Sequence, residues 1–193
     1  MRSVVQSTPR LAPALRVTRW LNTPQALTLE ALRGRVVVLH TFQMLCPACV
    51  SHGLPQATRT HEFFERKDVV VIGLHTVFEH HAVMNEAALQ AFIHEYRLAF
   101  PIGIDAAADD DPVPLTMQAY GLRGTPSVVL IDRVGRVRLN HFGRIDDMAL
   151  GALIGQVAAE APPAGAAPAL SVAVSDTGRV APPGCDDTGC PLP

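Results

Sequence analysis

A continuous apolar, β-branched run from Arg35 to Phe42 leads directly toward Cys46-Pro47-Ala48-Cys49, and a stretch of helical character follows. Such a run is expected of a strand buried on both faces of a sheet. Strand, CxxC, helix is the arrangement of a dithiol redox site. A helix N-terminus carries partial positive charge and unpaired N–H groups. A cysteine placed there has its thiolate stabilised and can attack disulfides near neutral pH. The three-residue spacing lets the second sulfur reach the first with little backbone movement. Two other readings of the motif stay open. One is half of a zinc site, which needs a second ligand pair at metal spacing. The other is a pair of unreactive cysteines. The remaining cysteines, Cys185 and Cys190, stand five apart in a Gly/Asp/Pro-rich tail.

Bulk properties narrow the class. The chain has 193 residues, a length for one domain with some excess, and its 48% hydrophobic content suffices for a packed core. With a net charge of -2 and no cluster of Lys and Arg, nucleic acid is not an expected partner. No apolar stretch approaches the ~18 residues of a membrane span. Met1 to Trp20 carries four scattered arginines and no continuous apolar segment, so no signal peptide is expected. The expectation is a cytoplasmic protein, where a CxxC is more often catalytic than structural.

The remaining pattern alternates strands and helices. Arg16 to Trp20 reads as an edge strand, and Leu27 to Gly34 as a turn of helix ended by glycine. A helix is expected from about Pro47 to Arg66, kinked at Pro55. Val69 to Leu74 reads as a second buried strand, Glu86 to Arg97 as an amphipathic helix, and Phe100 to Ile104 as a short strand. Asp109-Asp110-Asp111 reads as a solvated loop, and Thr116 to Tyr120 as a helical turn ending at Gly121. Val128 to Asp132, the turn Arg133-Val134-Gly135 and Arg136 to Phe142 read as a β-hairpin. Asp146 caps a last helix reaching about Ala159. From Glu160 the composition becomes linker-like. The pattern predicts an α/β fold with a central mixed sheet and helices on both faces, the CxxC lying at the C-terminal end of a strand.

The order of these residues resembles the thioredoxin fold, within it the TlpA-like and redoxin branch. The resemblance rests on Leu29-x2-Leu32-Arg33-Gly34-Arg35-Val36-Val37-Val38, on Cys46-Pro47-Ala48-Cys49, on Thr125-Pro126 and on Leu130-Ile131-Asp132-x2-Gly135. The strand and helix between Val69 and Arg97 fit an insertion typical of that branch. The resemblance covers roughly residues 13–159, leaving residues 1–12 as an N-terminal extension and 160–193 as a linker and Cys-containing tail. It implies a thioredoxin-like three-layer sandwich, to which a Pro/Ala-rich C-terminal tail is added.

The resemblance implies a thiol–disulfide oxidoreductase, with Cys46 the attacking and Cys49 the resolving thiol. It implies a cis Thr125-Pro126 bond that exposes the Thr125 backbone beside the sulfurs for pairing with an extended substrate. A protein disulfide or dithiol, such as a thioredoxin-type reductant, would be the partner; no cofactor and no metal are expected. The chain departs from the family in three places. Leu45 stands where tryptophan is usual, and Pro-Ala replaces a middle pair ending in proline. His40 stands where thioredoxin has a buried aspartate, and is the candidate proton acceptor for Cys49. A thiol peroxidase with Cys46 peroxidatic is the second reading, although Gln43 occupies the position of the peroxide-activating hydroxyl. The third is a metal-handling module using His52, His75, His80 or His81. Cys185 and Cys190 are an accessory redox pair candidate, and Ser171 to Val174 a candidate edge strand.

Overall fold

The computed structural model describes residues 10–160. Its centre is a seven-residue strand, β2 (Val36–Phe42), in which every residue is buried. β2 pairs in parallel with β3 (Val69–His75) and antiparallel with β5 (Ser127–Ile131). The sheet extends to β4 (Ile102–Asp105) and the edge strand β1 (Val17–Leu21) on one side, and to β6 (Val137–Phe142) on the other. The strand order is β1-β4-β3-β2-β5-β6. β1 and β4 run antiparallel, as do β5 and β6.

Period-two alternation along β2 feeds two cores. Val36, Val38 and Phe42 face one cluster, built with α1 (Leu54–Phe63), α2 (Glu86–Glu95) and α4 (Asp147–Ala159). Val37 and Leu39 face a second, which Met117 and Tyr120 of α3 (Leu115–Tyr120) and the turn residues Leu29 and Leu32 complete. Helices therefore cover both faces of a mixed sheet, the three layers that the sequence pattern predicts. No helix among the described residues is long and apolar enough to cross a membrane.

Local deviations have local causes. Leu27 to Gly34 forms hydrogen-bonded turns without a lasting helix, released at Gly34 with φ 87°. The helix after the cysteines ends at Phe63, because Phe64 is extended (φ −95°, ψ 139°). Its first stretch, Cys49–Gly53, is a π-helical turn closed by the Leu54 N–H on the Cys49 carbonyl. Pro55 follows that turn; it has no N–H for the Ser51 carbonyl, and its ring would crowd that oxygen in a regular α-turn. The predicted disturbance at Pro55 thus takes the form of a widened turn. The linker, the candidate strand at Ser171 to Val174 and the pair Cys185 and Cys190 lie outside the described residues.

The first turn of α4 is held by Asp146, whose carboxylate accepts from the Met148 and Ala149 N–H groups at 2.9 and 3.1 Å. Asp146→Ala leaves both donors without that acceptor and is expected to cost about 1 kcal/mol. Thermal unfolding should fall by ~2–4 °C for a chain of this size. An unchanged midpoint would contradict the capping role.

Candidate functional site

β2 ends one short segment before Cys46, and the chain turns there into a helix. Cys46 occupies the cap position: its carbonyl accepts from the N–H groups of Cys49 (3.0 Å) and Val50 (3.1 Å). Its sulfur also accepts from the Cys49 N–H at 3.3 Å, the bond that a Ser or Asp side chain makes at a helix start. Pro47 fills the first helical position, where a missing N–H leaves nothing unsatisfied. A thiolate at Cys46 is thus met by a backbone N–H and by the positive end of the helix.

The two thiols differ in surroundings. Cys46 is half-buried and Cys49 is 0% exposed; both are free. Burial pushes the Cys49 thiol up to about 12, reinforced by a hydrogen bond with Cys46 that favours its protonated form. The Gln43 backbone and the Thr125 hydroxyl act in the opposite sense and do not cancel the burial. One thiol is therefore accessible, while the other is kept protonated out of water.

The Thr125-Pro126 bond is cis, as the resemblance implies. The Cys46 thiol lies 3.5 Å from the Thr125 carbonyl oxygen, to which it donates. Pro126 packs on the helix at Gly53: a Cβ built there would sit 3.1 Å from the proline Cβ. The structure thus brings Cys46, Cys49, Thr125 and Pro126 together from segments about 80 residues apart.

His40 is 2% exposed, and neither ring nitrogen has a hydrogen-bond partner. Burial, with a smaller contribution from the charge of His52, lowers its pKa to about 4, so the ring is neutral at pH 7. His75 is also buried and lowered to about 4, and its ring packs 5.3 Å from that of Phe42. His52 contacts the Ile145 carbonyl at 3.1 Å, whereas His80 and His81 are exposed. Among the described residues no group of three or more His, Cys, Asp or Glu could hold a metal ion. Gln43 is buried; its carboxamide accepts from the Phe78 N–H and donates to Glu79. Thr41 points to the other face of the sheet, where its hydroxyl accepts from the Ser127 N–H.

Three contributors escape a reading of the sequence. Gly53 is signalled only by being a glycine inside a helix, which costs about 0.5–1 kcal/mol relative to alanine unless packing demands it. Gln56 joins the helix to the start of α4, donating to the Ile145 carbonyl (2.9 Å) and to Asp147 (2.7 Å). Asp105 accepts from Thr76 and from the Thr116 and Met117 N–H groups, fixing α3 behind the sheet. The last two are contacts between distant segments and leave no local trace.

Comparison with known proteins identifies the family and the fold. The family model described as Redoxin matches residues 8–147. A crystal structure of a thioredoxin-like superfamily protein is 49% identical with a TM-score of 0.78, covering 79% of this chain and 99% of that one. The structure of a thiol-disulfide isomerase from Corynebacterium glutamicum is 48% identical with a TM-score of 0.74, covering 78% of this chain and 98% of that one. The thiol-disulfide oxidoreductase ResA of Halalkalibacterium halodurans is 27% identical over 119 residues, 62% of this chain. The chain spans 60% of the length of that curated relative.

The unequal exposure of the thiols predicts their order of alkylation. Iodoacetamide at pH 8 should modify Cys46 in the folded, reduced protein well before Cys49, as read by peptide mass mapping. Equal rates, or Cys49 first, would contradict the geometry.

Proposed function

The chain belongs to the Redoxin family, and from that premise we propose that it is a thiol–disulfide oxidoreductase acting on protein partners. The thiolate of Cys46 attacks a partner disulfide; a Cys46–partner bond forms, the partner's S–S bond breaks, and the leaving sulfur takes up a proton. Cys49 then loses its proton and attacks the Cys46 sulfur. The mixed disulfide breaks, the second partner sulfur leaves as a thiol, and a Cys46–Cys49 disulfide remains. Two electrons and two protons have passed to the partner, and the same steps run backwards against a partner dithiol.

The observation that carries this reading is the bond from the Cys49 N–H to the Cys46 sulfur at the helix start, beside the Thr125 carbonyl. It gives an accessible nucleophile and a resolving thiol one turn away. An extended partner segment would pair with the backbone at Thr125. The peroxidase reading draws no support from Gln43, whose carboxamide is engaged elsewhere, or from Thr41, which faces the opposite core. The metal-handling reading has no ligand cluster among the described residues behind it.

His40 is proposed as the proton acceptor for Cys49, supported by its two buried ring nitrogens without a hydrogen-bond partner. In the resting dithiol the transfer is strongly uphill, with Cys49 near 12 and His40 near 4. In this reading the proton leaves Cys49 as it attacks the mixed disulfide, when negative charge shifts off its sulfur. Its role is to lower the cost of that one step.

Reduction of a model protein disulfide by the protein, with dithiothreitol as the electron source, should fall to background in Cys46→Ser. Cys49→Ser should retain attack but accumulate a Cys46–partner mixed disulfide detectable by intact mass. Persistent turnover in Cys46→Ser would remove this reading. In His40→Gln the resolution step should slow and its pH profile shift; an unchanged profile would take His40 out of the mechanism.

A further inference from the structure

The accessory cysteines share their short segment with two acidic residues, Cys185-Asp186-Asp187-Thr188-Gly189-Cys190. Two arginines stand near the site. Arg123 lies two residues before Thr125, is exposed, and stacks 5.3 Å from the centre of the Phe142 ring. Arg144 is exposed in the connection between β6 and α4, next to Gly143, whose N–H donates to the Pro126 carbonyl at 2.8 Å. Neither guanidinium has a carboxylate partner among the described residues. Arg144 also lines an open cleft of about 500 Å³ with His52, Arg59, Ile145, Asp146 and Asp147. The acids of that cleft are already engaged: Asp147 pairs with Arg59 at 2.7 Å, and Asp146 caps α4. Two arginines without a carboxylate partner among the described residues thus adjoin the loop that touches Cys46, Arg123 along the chain and Arg144 beside the Gly143–Pro126 hydrogen bond.

Chain length fits the same conclusion. The start of α4 adjoins the site through Gln56 and His52, and 13 helical residues carry the chain roughly 20 Å away from it. Residues 161–184, Ala/Pro-rich at their start, separate Glu160 from Cys185. At the ~3.1 Å per residue of an extended chain, 24 residues reach about 75 Å, more than the gap to be bridged.

We propose that the Cys185/Cys190 segment docks between Arg123 and Arg144 and exchanges two electrons with the Cys46/Cys49 pair of its own chain. This rests on the oxidoreductase reading above and adds a second, tethered redox site whose partner is the chain itself. With the site oxidised, a thiolate of the tail attacks the Cys46 sulfur. The Cys46–Cys49 bond breaks, and Cys49 takes up a proton. The second tail cysteine loses its proton and attacks the tail sulfur of the mixed disulfide, releasing the Cys46 thiolate. The site gains two electrons and one proton, with Cys46 left as a thiolate and Cys49 as a thiol, and the tail becomes a disulfide, which an external dithiol reduces. Asp186 and Asp187 steer the segment to the two arginines.

The test uses the full chain carrying Cys49→Ser and Cys190→Ser, which leaves Cys46 and Cys185 as the two thiols and allows no resolution. Hydroxyethyl disulfide, which is uncharged, is added to the reduced protein at low concentration, and products are mapped by mass spectrometry. The expected main product is a Cys46–Cys185 bond within a monomer. Adding Arg123→Glu and Arg144→Glu should slow its formation ~10-fold, while the first capture of hydroxyethanethiol by Cys46 keeps its rate. A lasting Cys46–hydroxyethanethiol adduct beside a free Cys185, or bonds between chains only, would overturn the tail proposal and leave the oxidoreductase reading intact. An unchanged rate in the charge-reversed protein would overturn the docking position. Failure of Cys46 to capture any disulfide would overturn both.

Discussion

The hydrogen bond from the Cys49 N–H to the Cys46 sulfur is the contact on which the rest of the arrangement depends. It exists because a strand ends and a helix begins across Cys46, so the sulfur takes the place of a capping side chain. β2 can deliver the chain to that point because it is buried on both faces and paired on both sides. β5, its antiparallel neighbour, starts at Ser127 and so sets the Thr125-Pro126 loop against the same sulfur. The glycine at position 53 allows the helix to rest on that loop. Strand, helix start and loop make one unit.

Burial sets the two thiols apart. Cys46 is half-buried, while Cys49 is enclosed and its thiol is pushed up by burial. The same low-polarity interior keeps His40 and His75 neutral. Cys46 sits at a helix start with an N–H on its sulfur, and the core opposes charge at Cys49. An asymmetric pair of this kind suits stepwise exchange, in which attack and resolution fall to different sulfurs.

Much of this was legible in the chain because it is local. The apolar runs at Val36 and Val69, the CxxC at a strand–helix junction, Asp146 ahead of an apolar helix and the Gly135 turn are each set by neighbouring residues. The π-helical turn was only half legible: Pro55 signals a disturbance, but its form depends on how carbonyls before it find donors. The links from Gln56 to Asp147 and from Thr76 to Asp105 could not be read, since each joins segments that only the completed sheet brings together. His40 was placed correctly in the interior, yet the absence of any partner for its ring follows from packing alone.

The central claim is that Cys46 is built to attack disulfide sulfur. The most direct measurement is a pair of second-order rate constants for the reduced protein, one with a model protein disulfide and one with hydrogen peroxide, each followed by thiol trapping and intact mass. The account predicts fast disulfide exchange through Cys46 and slow reaction with peroxide. Fast peroxide reaction leaving a sulfenic acid at Cys46, with slow disulfide exchange, would contradict it.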